Sequence, residues 1–120
     1  MIKALVVHDI LHEAKKIEHY ITSYYGACSV LLFAGADKNE IMDIIENEDN
    51  EIDVCFTQIK MRSVSAIQIA QKLRSKNARV KIVFVSDTDE YALDAWRLGI
   101  NDYLLEPVTM KKVHKSVENI

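Results

Sequence analysis

Apolar residues along this chain alternate between two rhythms. Ile2 to Val7 is a near-continuous apolar run, the pattern of a strand buried on both faces. Leu11, Ala14, Ile17, Ile21 and Tyr24 then recur at helical spacing, and Gly26 closes that helix. The cycle repeats. Cys28 to Ala34 predicts a second strand, and Ile41, Ile44 and Ile45 predict a short helix that Asp37 caps with Glu40 three residues on. Glu46 to Glu51 reads as a solvated acidic loop. Asp53 to Thr57 predicts a third strand. Ser63 is placed to cap a third helix with Ile67, Ala70 and Leu73 inward and Arg74 and Lys76 near its carboxyl end. Val80 to Val85 is a β-branched fourth strand. Asp87 or Thr88 opens a fourth helix that runs to Leu98 and ends at Gly99. Asp102 to Leu105 is a short fifth strand. Pro107 breaks the chain before a last helix from Thr109, with Met110, Val113, Val117 and Ile120 on one side.

Five strand-then-helix units with short connections predict an α/β fold, a parallel sheet covered by helices on both faces. At 120 residues this is one domain. A chain of that size buries about two thirds of its unfolded surface and needs no staples. The net charge of -3 gives no support to direct nucleic-acid binding. No apolar run reaches membrane-spanning length, and His8-Asp9 interrupts the apolar N-terminus too early for a signal peptide. The expected location is therefore the cytoplasm. Cys28 and Cys55 each lie inside an apolar run and read as buried thiols rather than a redox pair.

In open α/β sheets, ligands and chemistry collect at the carboxyl ends of the strands. Here that edge gathers His8 and Asp9 after the first strand and Gln58, Ile59 and Lys60 after the third. Ser86 and Asp87 follow the fourth, and Glu106 and Pro107 the fifth. Gln58 is the oddity, a neutral amide where such a site would carry a carboxylate.

With these residues assembled, the whole chain resembles a response-regulator receiver domain. The family pattern is an acidic pair after the first strand, an aspartate after the third, Thr or Ser after the fourth and Lys-Pro after the fifth. Gln58-Ile59-Lys60-Met61-Arg62 lies over a family segment that commonly begins D-I-x-M-P. The stretch from Lys81 to Pro107, with Asp89-Glu90-Tyr91-Ala92-Leu93, Leu98-Gly99 and Asn101-Asp102-Tyr103-Leu104-Leu105, resembles receivers attached to LytTR-type DNA-binding domains. The resemblance implies a flavodoxin-like, doubly wound five-stranded sheet in the order 2-1-3-4-5. In that order the cysteine strands are not neighbours and lie roughly 10 Å apart, beyond the ~7 Å Cα reach of a disulfide.

The resemblance also implies a chemistry: phosphoryl transfer from a histidine kinase to the third-strand aspartate, with Mg²⁺ held by acidic residues. This sequence departs from it where the chemistry resides. Gln58 has no carboxylate to form an acyl phosphate. Glu106 replaces the lysine, and His8 the first acid; Asp9, Ser86, Pro107 and the aromatic Tyr103 keep their family types. The expectation is a pseudo-receiver with the fold intact, Mg²⁺ binding weakened or lost, and no enzymatic activity. Lys60, with Arg62, either neutralises Asp9 and Glu106 in place of the metal, or both cations are simply solvated. Two alternatives keep a reactive site: Asp9 as acceptor, or a zinc site built from His8, Asp9 and Glu106. A flavin site would need a glycine- or hydroxyl-rich first loop, which His8-Asp9-Ile10-Leu11-His12 is not.

Expected partners are proteins: an attached output domain, with this chain as the N-terminal part of a longer regulator, and a histidine kinase or second regulator. A homodimer is expected through residues 88–120, where Asp89, Glu90, Asp94 and Arg97 can face Lys111, Lys112 and Lys115. Tyr103 is the expected switch residue. Tyr91 and Trp96 are expected in the core, and His12, His19 and His114 on helix surfaces.

Overall fold

The computed structural model describes residues 1–47 and 51–118. Strands β1 (Ile2–His8), β2 (Cys28–Ala34), β3 (Val54–Gln58), β4 (Lys81–Ser86) and β5 (Asp102–Leu105) alternate with helices α1 (Leu11–Tyr25), α2 (Lys38–Asn47), α3 (Ala66–Lys76), α4 (Ala92–Arg97) and α5 (Met110–Glu118). All strand pairs are parallel, and the order is β2-β1-β3-β4-β5. The chain has the flavodoxin-like topology that its resemblance implied. Cys28 and Cys55 are free thiols on strands separated by β1, and burial pushes both thiols up, so both stay protonated at neutral pH.

Strand parity divides the core. Successive side chains point to opposite faces. Leu5 and Val7 of β1, Cys55 of β3 and Ile82 and Phe84 of β4 join Ile41, Ile69 and Leu73 beneath α2, α3 and α4. Ala4, Val6, Val54, Phe56, Val83 and Val85 join Ile17, Ile21 and Val113 beneath α1 and α5. The central strands are buried on both faces, whereas every residue of edge strand β2 is only half-buried.

The helices differ from expectation in register and length. Ser65, not Ser63, caps α3 by accepting from the Gln68 N–H, while the Ser63 hydroxyl donates to the Ala36 carbonyl. The buried stripe is therefore Ala66, Ile69, Ala70 and Leu73, and Ile67 is exposed. α4 begins four residues late. Ser86 Oγ accepts from Thr88 N and Thr88 Oγ1 from Glu90 N, and such side-chain turns compete with helix. Glu46 belongs to α2, not to a loop. It pairs with Lys72 and, at 3.7 Å, with Lys76, and the Lys72 ammonium holds its carboxyl below the usual range. The rest of the expected acidic loop (48–50) and Ile120 lie outside the described residues. Asp37 caps α2 as expected, accepting from Glu40 N. His114 is half-buried, its Nε2 3.0 Å from the Tyr20 carbonyl and its ring against Tyr24, so it joins α5 to α1.

Short α4 is held from outside. Arg74 Nη1 and Nη2 donate to the Leu98 and Gly99 carbonyls at 3.1 and 2.7 Å, satisfying acceptors that a helix end leaves open. Gly99 supplies the left-handed turn there at φ 74°, where a side chain would be strained. Arg74→Ala is expected to cost about 1.5–3 kcal/mol, the range for hydrogen bonds from a charged donor. Urea unfolding measures it, with early loss of amide protection in residues 92–99.

Candidate functional site at the carboxyl edge of the sheet

The edge is built by parity. His8 continues the Ala4, Val6 side of β1, and Gln58 continues the Val54, Phe56 side of β3. Both side chains therefore leave the sheet toward α1 and α5. The registers Val7↔Thr57 and Gln58↔Val85 set β1, β3 and β4 side by side there. Glu106 follows β5 directly, its N–H bonded to the Ser86 carbonyl and its peptide to Pro107 cis.

Three contacts tie the strand ends together. Gln58 Oε1 accepts from the Asp9 N–H at 2.8 Å. Asp9 Oδ2 accepts from the Arg62 N–H at 3.1 Å, joining the first loop to the third. His8, 1% exposed, accepts from the Ile10 N–H at its Nδ1, 3.0 Å away. An accepting Nδ1 puts the proton of the neutral ring on Nε2. Buried Nε2 has no hydrogen-bond partner within reach and stands 3.6 Å from Glu106 Oε2. The first and last positions have thus exchanged chemical character relative to the family pattern: the base now follows β1 and the acid follows β5.

Ser86 and Tyr103 are on the opposite face. Ser86 is 2% exposed and its hydroxyl is engaged by the Thr88 N–H. Tyr103 packs inward, pairs with Phe84 across the β4–β5 ladder, and donates its hydroxyl to the Thr88 carbonyl at 2.6 Å. Two contributors carry no sequence signal. Thr88 acts through its main chain, and Lys112 reaches back from α5 to donate to the Leu105 and Pro107 carbonyls.

Lys60 does not take the place of a metal. Its ammonium lies 5.9 Å from the centroid of the Tyr91 ring, and among the described residues neither Lys60 nor Arg62 forms an ion pair. Lys60→Ala is therefore expected to change stability by less than about 0.5 kcal/mol, as for an ordinary surface site. A melting experiment showing a loss three times larger would restore a neutralising role. The zinc arrangement is not formed either: Asp9 faces Arg62 while His8 faces Glu106. Among the described residues no three His, Cys, Asp or Glu side chains are grouped to hold a metal ion.

A 2-1-3-4-5 parallel sheet with its polar residues on this edge is the flavodoxin-like architecture. The family model of the response regulator receiver domain matches residues 4–118, and the chain belongs to that family. It is 28% identical, over all 120 residues and 48% of the relative's length, to an uncharacterised response regulatory protein of Vibrio cholerae. Over 71 residues, 59% of this chain and 29% of the relative, it is 25% identical to the transcriptional regulatory protein LytR of Staphylococcus aureus. The chain thus spans less than half the length of these two relatives. Among solved structures, the response regulatory domain of protein mrkE from Klebsiella pneumoniae superposes with a TM-score of 0.82 at 20% identity, covering 98% of this chain and 93% of that one. A receiver domain from Clostridium thermocellum gives 0.77 at 24% identity, covering 99% and 93%. Receiver domains generally act as signalling modules that contact proteins, and no described helix is long and apolar enough to cross a membrane.

Proposed function

We propose that this chain is a receiver that has given up aspartyl phosphorylation and signals in a two-component pathway through protein–protein contact. The observation that carries the proposal is the Gln58 amide, whose oxygen is bonded to the Asp9 N–H. An amide oxygen in that position keeps the two loops together and supplies no nucleophile for an acyl phosphate. The donors needed for Mg²⁺ are missing with it. This hard cation is bound by carboxylates and keeps near-octahedral oxygen geometry. Of the positions that hold the ion in the family pattern only Asp9 is a carboxylate, and it is engaged by the Arg62 N–H, beside the Gln58 amide and a buried imidazole, while Glu106 is turned to His8. The residues present do not fit the ion.

The contact surface proposed is α4, β5 and α5, serving a homodimer and the control of an attached output domain. Leu93, Trp96, Leu105 and Met110 are exposed in this segment, contrary to the expectation that Trp96 is in the core. Exposed Asp89, Glu90 and Asp94 lie at the α4 end of this strip and Lys111 and Lys115 at the α5 end. Opposite charges flanking an apolar strip suit an isologous contact. The name of the LytR relative supports transcription as the output, and the net charge of -3 argues that this domain does not itself touch DNA.

Sedimentation velocity tests this. A dimer is expected whose distribution is unchanged by acetyl phosphate and Mg²⁺, and Trp96→Glu should return it to monomer. A monomer that dimerises only with the phosphodonor would contradict the proposal.

A further inference from the structure

The start of α3 borders an open groove of about 460 Å³ between the β3–α3 loop and Tyr91 at the start of α4. Lys60 and Arg62 line it with Met61, Val64, Gln68 and Tyr91, and no carboxylate is among its lining residues. In a chain of net charge -3 this is a local inversion of sign. Lys16, Lys72, Lys76 and Arg97 each meet a carboxylate, and Arg74 and Lys112 hold main-chain carbonyls. Lys60 and Arg62 are exposed and, like Lys15, Lys38, Arg79, Lys81, Lys111 and Lys115, have no such partner among the described residues; what sets them apart is that they stand together on one groove. The main-chain N–H groups of Lys60, Met61 and Ser63 likewise meet no acceptor among the described residues.

We infer that this groove docks an acidic, extended segment of a partner protein. Carboxylates of the segment meet the Lys60 ammonium and the Arg62 guanidinium, whose planar fork suits bidentate contact. An apolar side chain of the segment packs on Met61 and the Tyr91 ring, against which Lys60 already stands. The free N–H groups of the loop receive its main-chain carbonyls, as in other modes of extended-peptide recognition. The open form of the groove favours a polypeptide over a small molecule, because small-ligand sites enclose most of their ligand. Gln58 is not used, and only Tyr91, at the start of α4, is shared with the segment proposed for the dimer, so the inference does not rest on the reading of the site.

An amide-resolved NMR titration of the ¹⁵N-labelled protein tests it. The probes are a synthetic peptide of alternating Glu and Leu, the same peptide with Gln for Glu, and ATP. The acidic peptide should shift residues 59–65, 68 and 91, weaken with salt as exposed charge contacts do, and lose at least tenfold in affinity in the Lys60→Glu/Arg62→Glu variant. Both positions are exposed, so the variant's remaining resonances should stay in place and certify its fold. Absence of shifts with the acidic peptide would overturn the inference. So would equal shifts with the Gln peptide, unaltered affinity in the variant, or saturable binding of ATP alone at these residues.

Discussion

Replacing Phe56 with alanine is expected to lower the unfolding free energy by about 3–5 kcal/mol, the range for deleting a buried aromatic. Phe56 is fully buried at the centre of β3 and packs in the core beneath α1 and α5. Its neighbours Val6 and Val83 belong to the strands on either side, which the sheet ladder holds in place, so the cavity cannot close by a local shift. Domains of this kind have about 5–15 kcal/mol in total, so the variant should be marginal at 37 °C. Urea unfolding monitored by Trp96 fluorescence and by circular dichroism gives the value. A loss below about 1 kcal/mol would mean that the core under α1 and α5 is not packed as described.

His8→Asp should be comparably severe, about 3–5 kcal/mol, because it sets a second carboxylate in a buried position facing Glu106 where a base now stands. The revealing comparison is the pair. Glu106→Lys alone places an ammonium against the Nε2–H of a buried imidazole, and it should cost about 1–3 kcal/mol, since a buried donor then faces another donor. Combined, His8→Asp/Glu106→Lys restores opposite charges with the sign reversed, and part of the summed loss should return. A coupling energy of about 1–3 kcal/mol in the double-mutant cycle is expected. Additive losses would show that the two positions changed independently, and that the exchange of base and acid across the sheet edge has no energetic content.

The strands were legible because both-face burial writes itself as unbroken apolar runs, and each of the five appears within a residue or two of its expected bounds. The helices were less so. Ile67 fits an i, i+3 stripe with Ala70 and Leu73 as well as Ile69 does, and only the cap at Ser65 decides which of them faces the sheet. The start of α4 depended on side-chain turns at Ser86 and Thr88 that a propensity argument reads as caps. Trp96 carries the apolar bulk of a core residue but stands on the outer face of a helix only six residues long. At the site, residue types at the strand ends were readable from the pattern of elements, whereas their partners were not. Nothing in the sequence says that Lys60 turns to Tyr91, that His8 spends its Nδ1 on the next loop, or that Lys112 reaches back over β5. These depend on the direction of long side chains over turns, which periodicity does not encode.

On this account the carboxyl edge of the sheet no longer takes a phosphoryl group, at Gln58 or at Asp9. Intact-protein mass spectrometry after incubation with acetyl phosphate and Mg²⁺ tests it directly. The mass is expected to remain that of the unmodified chain. A single added phosphate that survives in native protein and disappears in Asp9→Asn would contradict the account and make Asp9 the acceptor.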